Sequence, residues 1–267
     1  MLVKRVLTGA VLIGLALALL FLAPRWLFFL GVLSIGLLAL WEYLELAARA
    51  GTVLERLPVY LLAAGLWLVA AWAPQHLLTA VVGGALLLFL SVVWRQKAIA
   101  EILPASAAGV FALLYVAVPF ALLLELRVGL NGARVVFYLL LLVWVGDTAA
   151  YFGGRALGWH KLAPLLSPGK TVEGTVASLV ATVVVGYWLG RAWFDVGLPH
   201  AWLLPLLVNV AAQLGDLAES ALKRSAGVKD SSALLPGHGG VLDRLDSFLF
   251  AAPALWYYWN LLARGGS

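Results

Sequence analysis

Residues 77–94 read Leu-Leu-Thr-Ala-Val-Val-Gly-Gly-Ala-Leu-Leu-Leu-Phe-Leu-Ser-Val-Val-Trp, a run without a single charge that closes at Arg95. A helix of about 20 mostly apolar residues crosses the hydrocarbon core of a bilayer, where lipid offers the backbone no hydrogen-bond partner. The same pattern recurs along the chain at 6–23, 26–46, 58–73, 102–124, 134–152, 173–192, 200–221 and 245–263. The stretch 58–73 is short and ends at Pro74. The expected fold is therefore an all-α polytopic membrane protein of about nine transmembrane helices. Composition agrees. The chain is 64% hydrophobic and 12% charged, against roughly 25% charged in an average soluble domain. Water-soluble folds rarely hide that much apolar side chain, whereas lipid tails solvate it.

Without cysteine there is neither a disulfide framework nor a thiolate metal site. The net charge of +5 is dispersed between apolar runs, which argues against a nucleic-acid partner and for contact with lipid headgroups. Lys4 and Arg5 precede the apolar run from Val6 to Ala23, as in a signal peptide. That run is long for a signal and lacks a small-residue exit, so it reads as a retained first span.

The basic residues orient the chain. One alternating set of connections holds Lys4, Arg5, Arg49, Arg56, Arg95, Lys97, Arg155, Lys161, Lys170, Lys223, Arg224, Lys229 and Arg244. The opposite set holds only Arg25, Arg127, Arg134, Arg191 and Arg264. Positive charge accumulates on the cytoplasmic side, so the N-terminus is expected inside and the C-terminus on the opposite side. Residues 1–130 form an N-terminal region of about five spans, with Glu42 and Glu45 read as solvated interfacial carboxylates. Residues 131–267 form the C-terminal region, about four spans with two long polar cytoplasmic loops at 153–172 and 222–244.

Charge inside a span suggests function. Asp147 lies near the inner end of span six. Span eight carries Asn209, Gln213, Asp216, Ser220 and Lys223 at helical spacing, with Glu219 beside them. Asp243 and Asp246 open span nine around Arg244. Some of these groups are expected to form structural pairs, such as Glu219 with Lys223. As a set, the five carboxylates Asp147, Asp216, Glu219, Asp243 and Asp246 suggest a site for a hard divalent cation such as magnesium.

Positive partners lie in the two loops. The first contains Lys161 and the segment Ser167-Pro168-Gly169-Lys170-Thr171-Val172-Glu173-Gly174. Its Gly-Lys-Thr imitates a P-loop, but Pro164 stands where the first glycine is required and no strand is expected before it. Ser167 and Thr171 are equally readable as helix caps and as substrate contacts. The second loop offers Lys223, Arg224, Lys229 and Arg244 as charge. Gly237, Gly239 and Gly240 would let backbone amides approach a phosphate, with His238 between them.

These residues carry a resemblance. From Ser220 to Asp246 the chain follows a pattern that fixes Ser220, Lys223, Arg224, Lys229, Asp230, Pro236, His238, Gly239, Gly240, Asp243, Arg244 and Asp246, and it resembles the phosphatidate cytidylyltransferases, or CDP-diacylglycerol synthases. Lys161, Pro164, the Ser167–Gly174 segment, and Asp147 with Ala150-Tyr151 are also similar to that family. The likeness covers roughly residues 140–250. It implies an enzyme, a nucleotidyltransferase that condenses CTP with phosphatidic acid to CDP-diacylglycerol and pyrophosphate and requires Mg2+. It also implies an all-helical, dimeric protein, here of a bacterial inner membrane, with its site toward the cytoplasm. Carried over, Asp216, Asp243, Asp246, Lys223 and Arg244 are candidate catalytic residues. Lys161, Ser167, Lys170, Thr171, Arg224, Lys229, His238, Gly239 and Gly240 are candidate substrate contacts. Asp216, Asp243 and Asp246 are candidate metal ligands, with Asp147 and Glu219 as further ones. The competing readings are a CTP-dependent polyprenol or phytol kinase and an ion-coupled transporter. The concentration of polar motifs in one half argues against the transporter.

Overall fold

The computed structural model describes residues 13–95, 98–129, 131–235, 237 and 239–265. Lys4, Arg5, Lys97, His238 and the first part of span one lie outside the described residues, and residues 13–21 of that span are helical. The remaining helices are α1 (Arg25–Arg49), α2 (Arg56–Trp72), α3 (Leu77–Arg95), α4 (Ile99–Ala112), α5 (Val118–Val128), α6 (Gly132–Leu157), α7 (Val172–Phe194), α8 (His200–Ser225) and α9 (Asp246–Gly265). Each expected span from 26 onward falls on one of these, with α4 and α5 continuous through a π turn at Leu113–Ala117. Among the described residues, six helices are long and apolar enough to cross a membrane: Arg25–Arg49, Pro74–Arg95, Ile99–Val128, Gly132–Leu157, Val172–Phe194 and His200–Ser225. At 17 residues α2 is shorter. In α9 the run Trp256-Tyr257-Tyr258-Trp259-Asn260 dilutes the apolar character. The architecture is that of an all-α polytopic membrane protein.

Two compact units make up the chain. The first comprises 1–133 and 225–244, the second 134–224 and 245–267. The polar loop 225–244, which sequence groups with the C-terminal region, thus folds with the N-terminal helices.

In the first unit the core forms around Trp67 on α2, which is fully buried. An added Cβ on Gly36 of α1 would lie 2.6 Å from the indole, so only glycine admits the ring there. The indole N–H donates to the Ala117 carbonyl at 2.8 Å. Ala117 ends the π turn, and Pro119 just beyond it has no N–H to continue a regular α ladder. Glu45 pairs with Arg56 at 2.7 Å and stays partly exposed, as an interfacial carboxylate should. Glu42 does not. It has no solvent exposure and accepts hydrogen bonds from Ser231 Oγ, Ser232 Oγ and the amides of Val241 and Leu242. The expectation of a solvated Glu42 fails because the 225–244 loop covers it.

In the second unit, helix packing rests on small residues. The buried face of α7 repeats them every fourth position: Gly174, Ser178, Thr182, Gly186 and Gly190. Its outer face presents Val172, Val176, Val180 and Val184, all exposed. That polarity is one of size, because lipid solvates the valines while small residues let backbones approach. A Cβ on Gly146 of α6 would meet Asn209 Nδ2 at 2.7 Å and the hydroxyls of Ser178 and Thr182 at 3.0 Å. Asn209 of α8 donates to both hydroxyls at 2.9 Å and accepts from Gln213 at 2.6 Å.

The loop between α6 and α7 holds an element that the sequence did not suggest. Strands β1 (Lys161–Ala163) and β2 (Ser167–Thr171) pair antiparallel, with Lys161 opposite Thr171 and Ala163 opposite Ser167. The expectation that no strand occurs here is corrected. His160 anchors the hairpin, its ring Nδ1 lying 2.6 Å from Glu173 and its carbonyl accepting the Val172 amide at 2.9 Å.

The Gly146 contact makes a testable prediction. Gly146→Val should lower detergent-solubilised stability by about 1–3 kcal/mol, as overpacking does. Gly197→Ala, where an added Cβ meets nothing within 4 Å, should leave the melting temperature unchanged. Equal melting curves for both variants would contradict close packing at Gly146.

Candidate active site

Within the second unit a cavity of about 490 Å3 opens between α6, the hairpin and the polar ends of α7 and α8. Each wall contributes for a local reason. On α6, Asp147, Tyr151 and Arg155 recur every fourth residue and so share one face, with Arg155 donating to the Tyr151 hydroxyl at 3.0 Å. Gly154 and Gly174 let α6 approach the start of α7, where a Cβ on Gly174 would lie 2.7 Å from the Ala150 carbonyl. Thr171 is the N-cap of α7, its hydroxyl accepting the Gly174 amide at 3.1 Å. That settles its local role as a cap. It also lines the cavity.

The central contact is an ion pair. Lys170 Nζ on β2 lies 2.7 Å from Asp216 Oδ2 on α8, both side chains being mostly buried. Asp246 opens α9, its carboxylate accepting the Ser247 amide at 2.7 Å. It lies within electrostatic reach of Asp216, Asp147 and Lys223. Gly215 brings α8 against this helix start, since a Cβ there would lie 2.5 Å from the Asp246 carbonyl. Glu219 is fully buried and pairs with Lys223 at 2.5 Å, the i,i+4 pair expected from sequence.

Of the candidate residues, Asp147, Lys170, Thr171 and Asp216 line the cavity. Lys161, Ser167, Lys223, Arg224, Glu219 and Asp246 belong to the same unit without lining it. Ser167 lies in β2, and Arg224 donates to the Leu166 carbonyl at 3.3 Å, bracing the hairpin.

Lys229, Gly239, Gly240, Asp243 and Arg244 belong to the first unit. There Asp243 Oδ2 accepts from the amides of Ser231 and Gly240 at 2.9 and 2.8 Å, and the Ser231 hydroxyl, whose one proton is shared between Asp243 and Glu42, lies 3.0 Å away. Gly239 has φ of +78° and abuts the Asp243 carboxylate. Gly240 abuts the Glu42 carboxylate, which a Cβ would approach to 2.5 Å. These glycines make room for carboxylates, where sequence suggested room for phosphate. Lys229 and Arg244 are exposed.

No group of three or more His, Asp or Glu among the described residues is arranged to hold a metal ion. Of the five carboxylates expected in one cluster, Asp246 lies within electrostatic reach of Asp216 and Asp147, Asp216 pairs with Lys170 and Glu219 with Lys223, and Asp243 belongs to the first unit. The donors around the cavity are nevertheless all oxygens that suit a hard cation: Asp147, Asp216, Thr175, Ser178, Gln213 and Ser247. Magnesium typically uses one or two carboxylates and completes its shell with water and phosphate. Tyr151, Arg155, Thr175 and Ser178 were missed from sequence as site residues. The four-residue spacing from Asp147 to Arg155 was the signal for the first two.

A polytopic membrane protein that sets carboxylates against lysine and arginine at its helix ends has the charge pattern of a site for phosphate-bearing groups. The chain belongs to the cytidylyltransferase family, whose profile matches residues 3–262. It is 44% identical over 142 residues to the phosphatidate cytidylyltransferase of Staphylococcus saprophyticus, covering 53% of this chain and 54% of the relative. The Staphylococcus haemolyticus phosphatidate cytidylyltransferase is 44% identical over 126 residues, 47% of this chain and 48% of that protein. The one from Staphylococcus aureus is 43% identical over 144 residues, again 53% and 54%. The chain thus spans about half the length of the relatives it matches.

The ion pair is open to a double-mutant cycle. Lys170→Met and Asp216→Asn should each destabilise the protein, and the double variant should lose less than the sum, with a coupling of about 1 kcal/mol. Additive losses would mean that the two charges do not support one another.

Proposed function

We propose that this protein is a phosphatidate cytidylyltransferase, condensing CTP with phosphatidic acid to CDP-diacylglycerol and pyrophosphate. The observation that carries the reading is the Lys170–Asp216 pair in the wall of a cavity that also holds Asp147 and Arg155. The names of the relatives support it. Anionic substrates need both signs of charge at the site: cations to hold phosphate, and carboxylates to hold the metal that such substrates bring.

The reaction is an in-line displacement. An oxygen of the phosphatidate phosphate bonds to the α-phosphorus of CTP, and the α–β bridging oxygen leaves with pyrophosphate. The attacking oxygen is already ionised, so no general base is needed, and the electron pair of the broken bond stays on pyrophosphate. The work left to the protein is positioning and charge neutralisation. Bound Mg2+ would neutralise triphosphate charge, held by Asp216 and Asp246 with Asp147 beside them. Lys170 stands at the start of α7, where free amides and the helix dipole already favour anions. Lys170 would hold the substrate phosphate, and Asp216, its present partner, would be among the carboxylates that hold the metal. Arg155 faces the same space as a second cation. Arg224, in the same unit, adds positive charge, and the family pattern gives Lys223, Lys229 and Arg244 roles toward the anionic substrates.

The fold is read as nine crossings with the N-terminus and the hairpin in the cytoplasm, where CTP is found. The chain has no cysteine, so single reporters test this directly. Leu165→Cys, at an exposed hairpin position, should react with an impermeant maleimide only after permeabilisation. Gly197→Cys, at the other end of α7, should react in intact cells. The reverse pattern would overturn the orientation.

Activity is tested with purified protein, phosphatidic acid, labelled CTP and Mg2+. CDP-diacylglycerol with pyrophosphate is the expected product, whereas a phosphorylated lipid with CDP would identify a lipid kinase. Asp216→Asn and Asp246→Asn should each cost on the order of a hundredfold in kcat, a few kcal/mol of transition-state stabilisation. Lys170→Gln should raise KM or lower kcat in normally inserted protein, and unchanged constants would remove Lys170 from the site.

A further inference from the structure

A buried carboxylate in a membrane protein is costly unless donors surround it. Glu42 is buried completely, on α1, in the half of the chain whose sequence carries little chemistry. Ser231 Oγ donates to it at 3.0 Å, Ser232 Oγ at 2.6 Å, the Val241 amide at 2.9 Å and the Leu242 amide at 2.6 Å. Every one of these donors lies in the 225–244 loop. They come from both arms of that loop, before and after the Leu235–Gly239 bridge that closes its tip. A single carboxylate therefore sets the separation of the arms.

The geometry around it has little tolerance. Gly240 fits only as glycine, because a Cβ would meet the Ser231 hydroxyl and both Glu42 oxygens. Ser231 Oγ also contacts Asp243 Oδ2 at 3.0 Å, which links Glu42 to Asp243 through one hydroxyl. The two amides that bond Glu42 lead directly into the 3-10 turn Leu242–Arg244. That turn carries Asp243 and Arg244, and Asp246 follows two residues later in the chain.

We infer that Glu42 is a positioning residue for this loop, fixing Lys229, Asp243 and Arg244 for the anionic nucleotide substrate without touching it. The inference rests on the cytidylyltransferase reading of those residues. Glutamine is the informative replacement. It preserves size, but one end of its amide is a donor that must face the loop's own donors, so the arms cannot both be held.

The experiment uses the full chain, purified in lipid nanodiscs. Wild type, Glu42→Gln, Ser231→Ala and Ser232→Ala are compared for kcat, for half-saturation by CTP and Mg2+, and for amide hydrogen exchange. Positioning predicts a rise of at least fivefold in half-saturating CTP or Mg2+ for Glu42→Gln and a smaller rise for Ser231→Ala. Exchange should accelerate in peptides covering 239–244 and not in peptides from α8. If Glu42→Gln does not accumulate, the two serine variants carry the test in the same way. Constants within twofold of wild type overturn the inference. So does faster exchange throughout the molecule with half-saturation unchanged, since that is a purely structural role. Wild type that makes no CDP-lipid would overturn the functional reading itself, a result separate from normal kinetics in the variants of an active enzyme.

Discussion

Lipid gives a polar group nothing to bond to, and most features of this molecule follow from that refusal. Backbone amides are satisfied within helices, so the apolar runs become helices of the length the bilayer sets. Side chains that carry hydrogen-bonding atoms must find each other. Asn209 meets Ser178, Thr182 and Gln213, and Trp67 meets the Ala117 carbonyl. Because hydrophobicity distinguishes nothing in a medium of hydrocarbon, association falls to shape, and the small-residue face of α7 provides it.

The same constraint explains where charge appears. Full charges are pushed to helix ends, and those that remain are balanced at short range. Lys170 against Asp216 and Lys223 against Glu219 are such balances. They differ in what surrounds them. Glu219 has no exposure at all. The Lys170–Asp216 pair faces a cavity large enough for a phosphate group. A lysine resting on a carboxylate at an open cavity keeps both charges compensated.

The helices were legible in sequence because hydropathy over some twenty residues is a strong signal, and the eight spans from 26 onward fall on helices. The stripe through Asn209, Gln213 and Asp216 was legible through its spacing, and the Glu219–Lys223 pair by the same rule. Other features were not. The hairpin strands are three and five residues long, with proline and glycine in them, too short to show alternation. Glu42 looked like any carboxylate at a span end, because its partners lie some 190 residues away in sequence. The hydrogen bonds of Asp243 to its own loop depend on a turn no periodicity announces.

The loop 225–244 is continuous in chain with the second unit on both sides yet folds with the first. Such interleaving has a consequence for heredity. A gene for the C-terminal half alone, however complete its motifs, would encode that loop without the glutamate it closes on. That glutamate stands in the apolar N-terminal half, where it looks unremarkable.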